Sequence, residues 1–280
     1  MPSKRFLPSA LRPWPSALSP LPFLAGLGVL ASLVACDVNV QNGKASFGVL
    51  SSEATDEWTH HYPLSAGGRV EIVNINGPVQ LSAGPAGTVE VHATITAKSL
   101  TDAGAKELLQ RGRIRETAEP ARVRLETTIP RGVSGSYTVQ YDARVPADAV
   151  TEISTTNGSL KADGIAGKLK ATGVNGRIDL RDVSGGINGI VANGSLTVSL
   201  AKVTAQVRLE TTNGSLSLTL PADSKANLSA RVVNGGLTVT GFQIDQPTGR
   251  RIRDLEAGLN GGGPDIDLRT TNGRITVEGK

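Results

Sequence analysis

Thr211-Thr212-Asn213-Gly214-Ser215-Leu216 repeats Thr155-Thr156-Asn157-Gly158-Ser159-Leu160 letter for letter, and Thr270-Thr271-Asn272-Gly273-Arg274-Ile275 nearly so. Looser copies run Gly173–Ile178, Val191–Leu196 and Val232–Leu237. A turn dipeptide recurring in a fixed apolar frame marks a repeat protein. The Asn of Asn-Gly stands at 157, 175, 193, 213, 234 and 272, in steps of 18, 18, 20, 21 and 38, the last being twice 19.

The frame around the dipeptide is stricter than the dipeptide. Three residues after each Asn lies Leu160, Ile178, Leu196, Leu216, Leu237 or Ile275. Five after lies Ala162, Leu180, Val198, Leu218, Val239 or Val277, and four before lies Ile153, Ala171, Gly189, Leu209, Ala230 or Leu268. Six before, in the later repeats, lies Leu169, Ile187, Val207, Leu228 or Ile266. Alternating apolar positions define the buried faces of short strands. Each period therefore holds two strands sharing one core, with a turn at Asn-Gly.

Asn-Gly between alternating strands is also the strongest hairpin signal, and the frame fits a stack of hairpins too. Three features favour a parallel β-helix with one coil per period. The whole period repeats in one phase. Thr155, Thr211 and Thr270, with the adjoining Asn residues, are expected to stack into polar ladders at a corner. Small residues in inward slots, Ala162, Ala171 and Gly189, suit a thin coil. One coil buries too few side chains to offset the ordering of its residues, so coils need stacked neighbours.

Composition agrees. Aromatics are 3% of the 280 residues, so the core must be aliphatic, while Gly numbers 33. The net charge of +4 includes Lys4, Arg5 and Arg12 ahead of Cys36; the remainder carries 26 basic against 25 acidic residues. A nucleic-acid partner is not expected from so even a balance.

The basic start is followed by an apolar run from Leu21 to Ala35, too short and Gly-rich for a comfortable bilayer span but suited to a signal h-region. Leu33-Val34-Ala35-Cys36 resembles a bacterial lipobox. The resemblance implies cleavage before Cys36, a diacylglycerol thioether on its sulfur and acylation of the new amine, which together anchor stably. Cys36 is the single cysteine, so no disulfide competes for it. Asp37 resembles an inner-membrane retention signal of enterobacteria; the choice of inner or outer membrane stays open. The 280 residues read as containing no translocator barrel, wall-sorting motif or C-terminal membrane helix, which leaves Cys36 as the visible attachment.

The expected organisation is a lipoprotein signal peptide over 1–35, a lipidated Cys and flexible tether over 36–57, and a β-helix repeat domain over 58–280. Residues 58–146 read as divergent coils interrupted by a helix at about 101–111, with a Thr101 or Asp102 cap and a stop at Gly112. Residues 147–280 read as regular Asn-Gly coils. Asn76 to Asn157 is 81 residues, about four periods, so the first half is expected to be an eroded form of the same repeat. An insertion from Gln246 to Pro264, with Arg250-Arg251-Ile252-Arg253, fills the doubled step.

Gly68–Val79, Val145-Pro146 and the Thr-Thr-Asn-Gly-Ser-Leu coils together resemble the bacterial envelope family called "putative adhesins", from about Glu57 onward. The family's relation to an auto-transporter head domain implies a right-handed parallel β-helix. It implies no established activity.

Chemistry is sparse. His60 and His61 adjoin Trp58 and Tyr62, but strand neighbours point to opposite faces and would not share a metal; His92 lies in an alternating strand. Asp163, Asp179, Asp182, Asp265 and Asp267, with Arg181 and Arg269, are candidates for the acidic clusters of β-helix polysaccharide lyases, though charges are ordinary on any solvated sheet. Gly261–Leu268 echoes a calcium-binding nonapeptide once, with Pro264 in place of a required Gly, and is rejected. The sequons at Asn157, Asn193 and Asn213 are explained as corners. No catalytic residue, cofactor or metal site is expected, and the chain is read as a non-enzyme. The expected function is a lipid-anchored envelope β-helix with adhesin-like binding or scaffolding, its partner an unidentified envelope protein or glycan. The alternatives are a carbohydrate-active β-helix enzyme and an envelope-stress sensor lipoprotein. From Thr151 onward Phe242 is the lone aromatic, which weighs against sugar stacking.

Overall fold

Asn175 donates its side-chain amide to Asn157 Oδ1 at 2.9 Å, and Asn193 does the same to Asn175 at 3.1 Å. The dipeptide therefore sits at a stacked corner and not at a hairpin tip. The computed structural model describes residues 38–41, 44–47, 52–244 and 253–280. Cys36, the signal segment and Arg250–Ile252 lie outside them. The described residues fall into two compact units, one up to Phe47 and one from Ser52 onward. In the first, β1 (Val38–Gln41) pairs antiparallel with β2 (Lys44–Phe47).

The second unit begins with β3 (Ser52–Pro63), β4 (Arg69–Asn76), β5 (Val79–Gly84) and β6 (Thr88–Ser99). Helix α1 (Asp102–Arg111) follows, then β7 (Arg113–Glu119), β8 (Arg122–Thr128) and β9 (Ser136–Pro146). The regular region holds β10 (Val150–Asn157), β11 (Leu160–Asp163), β12 (Leu169–Asn175), β13 (Ile178–Val183), β14 (Ile187–Asn193), β15 (Leu196–Leu200), β16 (Val207–Asn213) and β17 (Leu216–Leu220). The last strands are β18 (Ala226–Thr240), β19 (Asp254–Leu259) and β20 (Asp265–Gly279). The unit is all-β, mostly parallel and solenoid-like, with one short helix.

Each coil places its first strand in one sheet and its second in another. β4, β10, β12, β14 and β16 pair in parallel along the first sheet. β5, β11, β13, β15 and β17 do so along the second. The inward frame is buried as expected: Leu160, Leu196, Val198 and Leu209 are 0% exposed. At the corner Gly194 takes φ +148°, and a Cβ there would stand 1.6 Å from the Gly176 carbonyl oxygen. Only glycine lets successive corners approach this closely.

Three expectations are corrected. The repeat's threonines do not form the corner ladder: Thr155, Thr211 and Thr270 point into the core at 1–3% exposure. The corner ladder is made by Asn alone. Asn76 stacks directly under Asn157, whose amide donates to Asn76 Oδ1 at 2.9 Å. The 81 residues between them are thus not four coils. They hold one further coil, β8 and β9, paired in parallel with β4 and β5, plus antiparallel strands and α1. β3, from Ser52, pairs with β6 along its whole length.

The third correction concerns order. Asn213 contacts Asn272, not Asn234, and Asn234 donates to Asn272 at 2.9 Å. β20 pairs with β16 and β17 on one side and with β18 on the other, so the C-terminal coil is inserted between its two predecessors.

Helix α1 occurs where expected, with Thr101 Oγ1 accepting from Gly104 N at 3.1 Å as N-cap. It buries Ala105 and Leu108. Beneath the corner of β4, Asn74 is buried, donating to Val139 O at 2.8 Å and accepting from Thr127 Oγ1 at 3.0 Å. Thr127 in turn bonds Tyr141 at 2.8 Å. Burial pushes the Tyr141 hydroxyl pKa up, and that of Tyr137 to about 12.

Candidate binding surface

Parallel stacking brings outward residues of successive coils into rows. Across the first sheet one row runs Arg124, Glu71, Glu152, Lys170, Asn188, Arg208, Asp267, Ser229, Glu256. Glu71 is its anchor: 6% exposed, it accepts from Arg122 Nη2 and Arg124 Nη1 at 2.8 Å each. Burial pushes its pKa up, but the two guanidinium hydrogen bonds outweigh that and hold it below the usual carboxylate range. Lys170 pairs with Glu152, and Arg69 reaches Glu152 at 3.6 Å.

Toward the other end the row opens into a polar groove. Lys168, Asn188, Gln206 and Arg208 line one part. Gln206, Asn227, Ser229, Glu256, Asp265 and Asp267 line the next. Gln206 is common to both, so a basic half runs into an acidic half. Asn188 Oδ1 is buried without a hydrogen-bond partner among the described residues. Asn227 donates to Asp265 at 3.2 Å and to the Gly263 carbonyl at 2.8 Å, tying the loop before β20 to β18.

The second sheet has a smaller depression. It is lined by Gln80, Asp142, Lys161, Asp163, Asp179 and Arg181, among others. Two of the sequence candidates, Asp163 and Asp179, are therefore brought together with Asp142, which sequence reasoning missed. Spacing along the chain carried no trace of this, because Asp142 arrives through the β9–β5 pairing. Asp265 and Asp267 come together in the groove with Glu256, also missed, from β19. Asp182 sits apart in a left-handed turn at φ +50°.

Two of these carboxylates, Asp179 and Asp267, are engaged by arginines of their own strands. Arg181 holds Asp179 through Nη2 at 2.8 Å and Nε at 3.3 Å, and this hydrogen bonding raises the Arg181 pKa. Arg269 Nη2 is 3.1 Å from Asp267. Such pairs leave a patterned, charge-complementary surface.

The histidines separate as the strand geometry requires. His60 stacks on Trp58 with ring centroids 4.3 Å apart, and its Nδ1 lies 3.2 Å from Glu116. Tyr62 also donates to Glu116, so the Trp58, His60, Tyr62 face and β7 close one end of the core. Burial, with help from Glu116, raises the Tyr62 pKa. His92 faces away, bonded to Thr59 at 2.9 Å. Among the described residues no group of three His, Cys, Asp or Glu is placed to hold a metal.

No curated protein matches the chain. Among solved structures it is similar to a "putative cell adhesion protein" of Clostridium sporogenes, at 16% identity over 80% of this chain and 100% of that one, with TM-score 0.46. A "putative adhesin" of Bacteroides fragilis matches at 9% identity, covering 80% and 97% of the two chains, with TM-score 0.27. A "putative lipid binding protein" of Parabacteroides distasonis matches at 9%, covering 82% and 97%, with TM-score 0.25. The pattern of the family described as Toastrack DUF4097 matches residues 71–278, from the buried Glu71 to the last residues of β20. The chain belongs to the toastrack family DUF4097.

Proposed function

We propose that this chain is a non-catalytic, cell-envelope solenoid, anchored through lipid on Cys36, that binds or scaffolds an envelope protein or glycan along its outer faces. The observation that carries the binding role is the groove from Lys168 to Asp267, where a basic half meets an acidic half across several coils. A surface of this kind suits an extended polar partner of mixed charge better than a small molecule. Of its carboxylates, Asp267 is held by Arg269 of its own strand and Asp265 accepts from Asn227, which supports recognition over acid–base chemistry. The coils are read as right-handed, the hand that parallel crossovers take almost without exception. The anchor rests on the Leu33–Cys36 lipobox resemblance.

Pull-down from intact envelopes with the lipidated protein tests the reading. Arg208→Glu and Asp267→Arg together should abolish capture of the partner that the unaltered protein retains. Unchanged capture by the reversed groove would remove it as the binding surface. Separately, Cys36→Ser should abolish lipid labelling and release the protein from membranes; continued retention would overturn the anchor.

A further inference from the structure

The two sheets have four ends, and three are finished by antiparallel strands. β7 closes the first sheet beside β8, β6 and β3 close the second beside β9, and β19 closes the far end of the first. The fourth end is the second half of β18. β19 covers Ala226–Arg231 only. Val232 N still donates to Arg253 O at 2.7 Å, and among the described residues no strand lies on the outer side of Val233–Thr240.

The core registers this. Leu237 and Val239 are only partly buried, whereas their equivalents one coil inward, Ile275 and Val277, are 0% exposed. Val233 is 53% exposed. The Asn ladder also stops here: Asn234 donates inward, and among the described residues nothing donates to its Oδ1.

The edges differ in charge. β3 carries Glu53, Asp56, Glu57 and Pro63; β7 carries Arg113, Arg115, Glu116 and Glu119; β19 carries Asp254 and Glu256. Such residues keep sheet edges from pairing with other chains. Val232-Val-Asn-Gly-Gly-Leu-Thr-Val-Thr240 has no charge and no proline. This edge does not repel a copy of itself.

We propose that Gly236–Thr240 is a homodimer interface, pairing antiparallel with the same segment of a second copy about a twofold axis at Thr238. In that register Leu237 faces Val239 of the partner on the core side, twice, completing the half-open core. Thr238 meets its own copy on the outer side, and Thr240 lies over Gly236, where a Cβ would meet nothing within 4 Å. The opposite end is sealed by β3, β6, β7 and α1, so pairing closes at two copies instead of growing a filament.

The test is sedimentation equilibrium of the full-length chain in density-matched detergent, with Thr238→Lys and Thr238→Glu run alone and mixed. The unaltered chain should reach twice the monomer mass with dilution-dependent dissociation. Each variant alone should be monomeric, and the mixture should restore the dimer. Thr197→Lys, in the same row of the same face but mid-stack, should leave the dimer intact and controls for surface charge. A monomer at every concentration, dimers of either variant alone, or a mixture that stays monomeric would each overturn the proposal. So would concentration-independent hydrogen-exchange protection of those amides of Gly236–Thr240 that point away from β20, which would mean that the chain's own residues cover this edge.

Discussion

Asn272 donates its side-chain amide to Asn213 Oδ1 at 2.8 Å, across 59 residues of sequence, and accepts from Asn234 on its other side. The strand that completes the stack is thus the last to be made. Asn272→Ala removes two ladder bonds and Asn234→Ala one. Each is worth about 0.5–1.5 kcal/mol net, so Asn272→Ala should lower stability by about twice as much in chemical denaturation. Truncation before Asp265 should strip hydrogen-exchange protection from β18, because β18 then loses its parallel neighbour.

A corner glycine and a glycine beside a corner are not equivalent. Gly194→Ala sets a Cβ 1.6 Å from a backbone oxygen at φ +148° and should cost more than about 2 kcal/mol. Gly236→Ala meets nothing within 4 Å and should change the melting temperature little. Thermal melts of the two variants side by side decide this; equal losses would mean that the stack relaxes around an added methyl.

The inward frame is graded by burial. Leu196→Ala, at 0% exposure in mid-stack, should cost about 2–5 kcal/mol. Leu237→Ala occupies the same frame position at the open end and should cost less than half as much in the monomer. Urea unfolding below the dimer's dissociation range measures both.

Glu71 makes an acid-sensitive contribution. Its folded pKa is depressed, so its stabilisation is present above the unfolded carboxylate pKa and is lost as pH falls through the folded value. Glu71→Gln should cost about 1–3 kcal/mol at neutral pH through the two charged hydrogen bonds. Its stability should also decline less steeply than that of the unaltered chain on acidification below the ordinary carboxylate range. Parallel slopes would assign the acid response to other groups.

The period, the inward frame, the short helix and the Asn-Gly corners were all legible in the chain itself. Each is a local pattern: alternation buries Leu160 and Val198, a Thr caps α1, and only Gly fits a corner where a Cβ would stand 1.6–2.2 Å from the neighbouring coil's carbonyl oxygen. The corner Asn residues were legible as a stack, but the buried Thr155 and Thr211 were not, because a strand residue's side depends on where the corner bends the chain.

Tertiary structure alone decided which coil lies on which. Asn76, Asn213, Asn234 and Asn272 sit in interchangeable frames, so periodicity permits any order among them. The choice is made by long-range pairing: the antiparallel strands at one end direct β4 onto β10, and β18 turning through β19 leaves room for β20 to enter beside β16 and β17. The same pairing carries Asp142 to Asp163 and Glu256 to Asp267. The outer faces were therefore hidden in the sequence. Alternation determines that a residue points outward, while the residue beside it is set by the order of the stack.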